Sequence, residues 1–222
     1  MSYLGKKGYS LLKSNLTEKE HAFIRNELTV KAYIPKSPVQ PDPFSLYRES
    51  PNKFYVPRYF GQDTFGDFSE NKLSRGDDID IEFNGELRDF QKNIVDKYIH
   101  FVKDSGGGLL DVDPGKGKTV MGLYIISKLK KKTLVIVHKS FLLNQWIERI
   151  QQFLPTARVG KIQGQIIDIE DKDIVIGMLQ SLSQKDYPDN LFDSFGLSIY
   201  DETHHLGAEV FSRCMMKTIT NY

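Results

Sequence analysis

The chain has little of what would tie it to an oxidising compartment or to a membrane. Its 222 residues include one cysteine, Cys214, so no disulfide can form within the chain. No apolar run approaches the length that spans a bilayer, and residues 1–7 lack the apolar core of a secretory signal. The net charge of +1 and the pI of about 7.8 exclude a strongly basic protein that coats DNA. We therefore predict an intracellular, soluble chain whose nucleic-acid surface, if it has one, is a local patch.

A glycine-rich stretch at residues 115–119 is the first positive feature. It follows the apolar run 108–110 and precedes residues 120–126, which suit a helix, so we predict that it lies at a strand-to-helix turn. Glycines let the backbone approach phosphate groups, and the N–H groups at a helix start attract anions. The pattern predicts that Lys118 contacts the β- and γ-phosphates of a nucleotide and that Thr119 binds magnesium. The alternative is an ordinary surface turn of glycines and lysines.

A second polar segment follows residues 195–200, whose composition predicts a buried parallel strand. Ligands in open α/β sheets bind at the carboxyl ends of such strands. Asp201 offers the oxygen ligand that a hard cation needs, and Glu202 can orient and deprotonate water for attack on a γ-phosphate. His204 is better placed to link this site to a moving part. A zinc site at His204 and His205 is the weaker alternative.

The remaining order of elements predicts an α/β fold. Residues 134–137 and 174–176 are short apolar runs rich in β-branched side chains, and amphipathic stretches separate them. Right-handed crossovers would place the loops that follow these strands along one edge of a parallel sheet. Polar side chains in those loops could bind nucleic-acid phosphates, or could serve as helix caps and solvated groups. The candidates are Lys139, Ser140, Gln145, Gln180 and Ser181.

Three further segments carry a family resemblance. Arg88 and Gln91 lie in a Leu-Arg-x-x-Gln element that resembles the one preceding the phosphate loop in superfamily 2 helicases of the DExH type. Residues 134–146 resemble the second motif of that family, a strand, loop and helix that contact the nucleic-acid backbone. Residues 173–182 are similar to the strand and turn that grip the same strand from the other side. Val112 replaces the first glycine of the usual phosphate loop, and the family's looser pattern accommodates it.

The resemblance implies a RecA-like parallel sheet that hydrolyses ATP with Mg²⁺, and it implies that Gln91 recognises adenine. Together with the residue chemistry it assigns catalytic roles to Lys118, Asp201, Glu202 and His204, and magnesium binding to Thr119 and Asp201. The ATP contacts that it implies are Arg88, Gln91, Pro114, Gly115, Lys116, Gly117, Lys118, Thr119 and Val120. The family's Ser-Ala-Thr motif and its second RecA-like lobe, with its arginines, are not found before Tyr222. We therefore expect an incomplete first lobe with an open sheet edge. A lobe supplied in cis or in trans would complete it, and alone it would hydrolyse ATP very slowly and not unwind duplexes.

The segment before the motor resembles the leader of helicases from large cytoplasmic DNA viruses, such as the poxvirus transcript-release helicases and their relatives in African swine fever virus and giant viruses. We predict a smaller α+β leader domain at residues 1–78 and the motor lobe at residues 79–222. Thr17 and Glu20 predict a capped helix that ends near Glu27. Strands are expected at residues 30–34, 44–47 and 54–56.

This resemblance implies part of an ATP-dependent helicase or translocase that acts on nucleic acid, DNA more than RNA, in viral transcription. It implies a viral RNA polymerase as a partner, and a location in a viral factory or virion in the host cytoplasm. Two alternatives stay open. One is a catalytically weak module that binds nucleotide and nucleic acid, and the other is a motor subunit of a restriction or remodelling system.

Some polar and aromatic residues have two interpretations. Trp146, the only tryptophan, could stack on a base, but on an amphipathic helix it is more often core. Residues 128–132 contain four lysines, which suit a solvated helix end more than a DNA contact. Aromatic side chains in the leader are expected to pack its core more than to stack on bases, at Phe54, Tyr55, Tyr59, Phe60, Phe65 and Phe68.

Overall fold

The computed structural model describes residues 2–31, 33, 35–36, 38–201 and 209–222. The chain divides into two compact units, one of Met1–Leu73 with His204–Ile219 and the other of Ser74–Thr203 with Thr220–Tyr222. The proposed boundary between residues 78 and 79 stays a prediction. Among the described residues no helix is both long and apolar enough to cross a membrane.

The first unit is built on a five-stranded sheet in the order β5-β6-β2-β1-β7. Its strands are β1 (Tyr3–Gly5), β2 (Gly8–Leu12), β5 (Arg48–Glu49), β6 (Lys53–Val56) and β7 (Glu70–Asn71). All neighbours pair antiparallel except β1 with β7, which are parallel. A separate two-stranded sheet joins β3 (Thr29–Val30) to β4 (Phe44–Ser45). The helices of this unit are α1 (Glu18–Glu27), α2 (Arg58–Phe65) and α7 (Glu209–Lys217), with a short 3-10 helix at Lys13–Asn15.

The predicted capped helix is confirmed as α1. The Thr17 hydroxyl accepts the Glu20 N–H, and a Glu20 carboxylate oxygen accepts the Thr17 N–H, so two donors at the helix start are satisfied. The predicted strand at residues 54–56 is also confirmed, but the two other leader strands are shorter than expected. The proline-rich segment between β3 and β4 explains this, because proline cannot donate to a strand ladder.

Four of the six leader aromatics lie in or against its core, as expected, while Tyr55 and Tyr59 are outside that cluster. Phe54 is fully buried beside Tyr9, Leu11, Ile24, Leu28 and Val56. Phe60, Phe65 and Phe68 are partly buried and pack against that cluster. Tyr59 differs from them because 46% of its surface is exposed. Helix α7 is hydrogen-bonded to β5 of this unit, because Arg48 Nη2 donates to the backbone oxygen of Met216 at 3.1 Å.

The second unit is an α/β fold around a mixed sheet in the order β10-β9-β11-β8-β12. Its strands are β8 (Thr133–Val137), β9 (Val159–Gln163), β10 (Ile166–Asp168), β11 (Ile174–Met178) and β12 (Leu197–Tyr200). All neighbours are parallel except β10, which forms an antiparallel hairpin with β9. The helices are α3 (Asp89–Ser105), α4 (Lys118–Leu129), α5 (Ser140–Phe153) and α6 (Leu179–Gln184).

Every residue of β8 and β11 is buried, as expected for parallel strands covered on both faces. The largest core cluster joins these strands to helices α4 and α5 through Leu123, Ile126, Val135, Val137, Leu143, Trp146, Ile150, Ile174 and Ile176. The backbone of Tyr222 lies along the other side of β12, where its N–H donates to Gly196 and its oxygen accepts from Ser198.

The prediction of a strand before the glycine-rich loop is wrong. Residues 107–113 form neither helix nor strand, and 69% of the Leu109 surface is exposed. Three consecutive glycines at residues 106–108 weaken a strand, because glycine loses most backbone freedom on folding and offers no side chain to pack. Leu110 and Val112 still pack against the cluster under α3 and α4.

An ion pair fixes the amino ends of β9 and β11, at the edge of the sheet opposite the predicted site. Asp173 accepts from Arg158 Nε at 3.0 Å, from Nη2 at 2.8 Å and from the Arg158 backbone N–H at 2.8 Å. Burial raises the pKa of the Asp173 carboxyl, but the hydrogen bonds from Arg158 lower that pKa more, so it lies below its usual value.

We predict that Asp173→Asn lowers the free energy of unfolding by about 1–3 kcal/mol at neutral pH, because the buried side chain exchanges a carboxylate that accepts three hydrogen bonds from the exposed Arg158 for an amide that accepts fewer. Since folding depresses the Asp173 pKa, its stabilisation is complete above the unfolded value of about 3.9 and is lost as the pH falls through the folded pKa. Urea unfolding at several pH values measures both effects. The exposed neighbour Asp171→Asn is the control, expected within about 0.5 kcal/mol of wild type. An equal cost for both variants would contradict the prediction.

Candidate functional site

The glycine-rich loop leads directly into the first turn of α4, which begins at Lys118. Gly115 and Gly117 both have left-handed backbone conformations, with φ of 77° and 82°. Gly117 is the residue that caps the helix start, and the N–H groups of the first turn that follows have no partner within the helix. Lys118 is exposed, and its Nζ donates to the Val112 backbone oxygen at 2.9 Å. The loop therefore combines a helix start with a mobile positive charge, which is an arrangement that binds phosphate.

Gln91 connects this loop to the start of α3. It is 5% exposed, its Nε2 donates to the Lys116 backbone oxygen at 2.9 Å, and its Oε1 accepts the Arg88 N–H at 2.9 Å. A Cβ atom at Gly117 would lie 2.6 Å from Gln91 Nε2, so only glycine leaves room for this contact. Gln91 thus supports the loop's shape, and recognition of adenine by Gln91 stays a prediction.

Asp201 lies where the predicted site requires it, directly after β12. Its backbone N–H donates to Ile136 at 3.0 Å and so continues the pairing of β12 with β8. Its Oδ2 accepts a hydrogen bond of 2.9 Å from the indole Nε1 of Trp146. Glu202, His204 and His205 lie outside the described residues, so their predicted roles have no geometry here. Within the part of the chain that is described, no cluster of three or more His, Cys, Asp or Glu could hold a metal ion.

The predicted nucleic-acid residues come together at the same sheet edge. Lys139 is the residue before α5, and Ser140 is the first residue of that helix. Gln180 on α6 donates to the His138 backbone oxygen at 3.1 Å, which joins the α6 segment to the loop after β8. Ser181 accepts the Gly164 N–H at 2.9 Å, so its hydroxyl has a structural role as well. Gln145 is exposed but lies inside α5, not on a turn or at its first positions as expected.

An exposed aromatic ring next to Ser140 was not predicted from the sequence. Phe141 is 62% exposed, and the Nζ of Lys139 lies 5.9 Å from the centre of its ring. An exposed ring beside a cation suits stacking on a base. Because Phe141 sits in an otherwise apolar run, nothing in the sequence alone separated it from the core residues Leu142 and Leu143.

The lysine cluster at the end of α4 serves the protein's own structure. Lys130 pairs with Asp80 at 2.9 Å and Lys131 pairs with Asp78 at 2.6 Å. Lys132 is only 7% exposed and donates to the Ile169 backbone oxygen, so the expectation of a solvated side chain is wrong for Lys132. Its Nζ also lies 5.3 Å from the ring centre of Phe195.

Loop, sheet edge and polar contacts together define an α/β protein with a candidate phosphate site at the start of α4. The family described as "Type III restriction enzyme, res subunit", ResIII, matches residues 84–222, and the chain belongs to this family. The RecA-like α/β fold predicted from the sequence is confirmed.

Several relatives among known proteins come from large DNA viruses, as predicted. A protein of Acanthamoeba polyphaga mimivirus, named as a candidate ATP-dependent RNA helicase, is 36% identical over 97% of this chain and 42% of its own length. A protein of the same description from African swine fever virus is 35% identical over 57% of this chain and 26% of its own length. The chain therefore spans less than half of each of these relatives.

Two solved structures share the fold. The UvsW helicase of bacteriophage T4 matches with a TM-score of 0.51 and 18% identity, over 90% of this chain and 84% of that chain. The SWI2/SNF2 ATPase core of Sulfolobus solfataricus, solved with double-stranded DNA, matches with a TM-score of 0.55 and 21% identity, over 68% of this chain and 33% of that chain.

We predict that Gly117→Ala destabilises the loop more than Gly115→Ala does. Both residues have a positive φ, so each substitution costs about 1–2 kcal/mol of backbone strain. Only at Gly117 does the new methyl group also meet Gln91, whereas nothing lies within 4 Å of a Cβ atom at Gly115. Loss of the Gln91 hydrogen bonds adds about 1 kcal/mol or more. Urea unfolding of the two variants checks the difference, and equal losses would contradict it.

Proposed function

We propose that this chain is the ATP-binding motor part of a helicase or translocase that acts on nucleic acid. The observation that carries the proposal is the start of α4, where Gly117 in a left-handed conformation precedes Lys118 and Thr119. Family membership and the relatives named as ATP-dependent helicases support the same conclusion.

In this proposal the phosphates lie at the amino end of α4, where backbone N–H groups and the helix dipole favour negative charge. Lys118 exchanges its bond to Val112 for the β- and γ-phosphates. The Thr119 hydroxyl and the Asp201 carboxylate are hard oxygen donors, which fit Mg²⁺. When bound, magnesium supplies positive charge that stabilises the phosphate oxygens during transfer. Arg88 and Gln91 at the start of α3, with Pro114, Gly115, Lys116 and Val120 around the loop, complete the proposed ATP contacts.

Hydrolysis requires a base, and we assign that role to Glu202. The oxygen of the attacking water bonds to the γ-phosphorus and gives up a proton to the Glu202 carboxylate, while the bond between the γ-phosphorus and the bridging oxygen breaks and ADP leaves. His204 then links the occupied site to the moving parts of the motor. A second RecA-like lobe, in cis or in trans, would supply the arginines that stabilise the transferring phosphoryl group.

Nucleic acid is proposed to bind across the starts of α5 and α6. Lys139, Ser140, Gln145, Gln180 and Ser181 would contact phosphates without reading sequence. The Gln180 bond to His138 supports this because it holds the two segments together. The names of relatives point both to RNA, for the mimivirus protein, and to DNA, for a Rad25 helicase of Halobacterium salinarum. We propose DNA as the preferred strand, and competition between matched DNA and RNA oligonucleotides decides it.

The biological setting is proposed from the viral relatives alone. It is transcription in the cytoplasm of an infected cell, in a viral factory or virion, with the viral RNA polymerase as a partner.

We predict that Lys118→Ala weakens binding of a fluorescent, non-hydrolysable ATP analogue by at least about tenfold, because a charge-assisted contact of about 1.5–3 kcal/mol is lost. Fluorescence titration with magnesium measures the affinity. Lys128→Ala is the charge-matched control, since Lys128 lies about 15 Å further along the same helix. Equal affinity of the Lys118 variant and wild type would overturn the nucleotide site.

We predict that, in the full-length protein with its second lobe, Glu202→Gln lowers single-turnover hydrolysis by about 10²–10⁴-fold and leaves analogue affinity unchanged, because the amide cannot accept the proton. Glu27→Gln, an exposed residue of α1, is the control. Equal hydrolysis by wild type and the Glu202 variant would show that the base is elsewhere. No measurable hydrolysis by either, with intact binding, would favour a module that binds nucleotide without turnover.

A further inference from the structure

Trp146 occupies a position that neither packing nor the proposed nucleotide chemistry explains alone. It is the only tryptophan of the chain, lies on α5 and is 3% exposed within the main core cluster. Its indole Nε1 donates to Asp201 Oδ2 at 2.9 Å, across a separation of 55 residues. The sequence predicted a core residue or a base-stacking platform, and neither interpretation includes this hydrogen bond.

The acceptor of the Trp146 hydrogen bond is a side chain and not the backbone. A buried indole N–H needs a hydrogen-bond partner, and a neutral backbone oxygen would be enough to satisfy it. Here the acceptor is a side-chain carboxylate, and hydrogen bonds to ionised groups are about twice as strong as neutral ones. Asp201 is held at its backbone by the bond to Ile136, so the bond to Trp146 fixes the rest of the residue.

The indole also touches the helix that follows the phosphate loop. A Cβ atom at Gly122 on α4 would lie 3.3 Å from Trp146 Cη2, so the absence of a side chain there admits the ring. Trp146 therefore contacts α4, which carries Thr119, and also Asp201. One side chain thus joins the two segments that hold both proposed magnesium ligands.

We propose that Trp146 is a positioning residue for magnesium: its N–H holds the Asp201 carboxylate in the orientation that binds the ion. This rests on the proposed function, since it assumes that Asp201 binds magnesium in the ATP site. Partners that orient a metal ligand set its geometry and its basicity, and their loss typically costs about 10–100-fold in metal affinity.

The test is Trp146→Phe, which keeps an aromatic ring and removes the N–H donor. Binding of a fluorescent, non-hydrolysable ATP analogue is measured without magnesium and at increasing magnesium concentrations. We expect wild-type affinity without the ion, and a magnesium requirement raised by about tenfold or more. Ile150→Val is the packing control on the same buried face of α5, and its magnesium requirement should match wild type. An unchanged magnesium requirement in the Trp146 variant would overturn the proposal.

A spectroscopic measurement covers the case in which Trp146→Phe fails to fold. Because the chain has one tryptophan, its emission reports on the environment of Asp201. An unlabelled ATP analogue should change that emission in a magnesium-dependent way in wild type and not in Asp201→Ala. Saturable magnesium-dependent binding with unchanged emission would overturn the role of Trp146. If wild type binds no analogue, or if Lys118→Ala binds it as well as wild type does, the proposed function itself would be overturned.

Discussion

The parallel pairing of β8 with β11 on one side and with β12 on the other determines where the candidate site can form. The register runs through the full length of β8, from Thr133 to Val137 against Ile174 to Met178. Parallel strands end at the same edge of the sheet, so the residues that follow them lie close together as a direct result of the strand pairing. Complete burial of β8 and β11 makes this register costly to change, because a slip by one residue would move every side chain to the other face and disrupt the packing on both faces.

Hydrogen bonds from polar side chains, two of them buried and one exposed, then hold the loops that follow the strands and helices. Gln91 joins α3 to the glycine-rich loop, Gln180 joins α6 to the loop after β8, and Trp146 joins α5 to Asp201. Each bond links segments that are distant in sequence. These bonds order the described parts of the loops before any ligand binds, which lowers the cost of ordering them on binding.

Most of the second unit could be predicted from sequence because its signals are local. The apolar runs of β8, β11 and β12 and the glycines before Lys118 each act within a few residues. The prediction of a strand at residues 108–110 was wrong because strand formation is not a local property. Apolar composition predicts a strand, but pairing depends on a neighbour elsewhere in the chain. The leader was harder, because its strands β1, β2 and β7 are short and lack a clear alternating pattern.

Sequence by itself determined the α/β class, the glycine-rich turn before α4 and the placement of Asp201 after a strand, since these follow from residue type and short-range order. Only the tertiary structure decided which polar side chains are partners. Trp146 and Asp201 are 55 residues apart, and Lys132 is buried although Lys130 in the same lysine run is paired at the surface. Hydrogen bonding and burial depend on distances between segments, and only the packed sheet and helices set those distances.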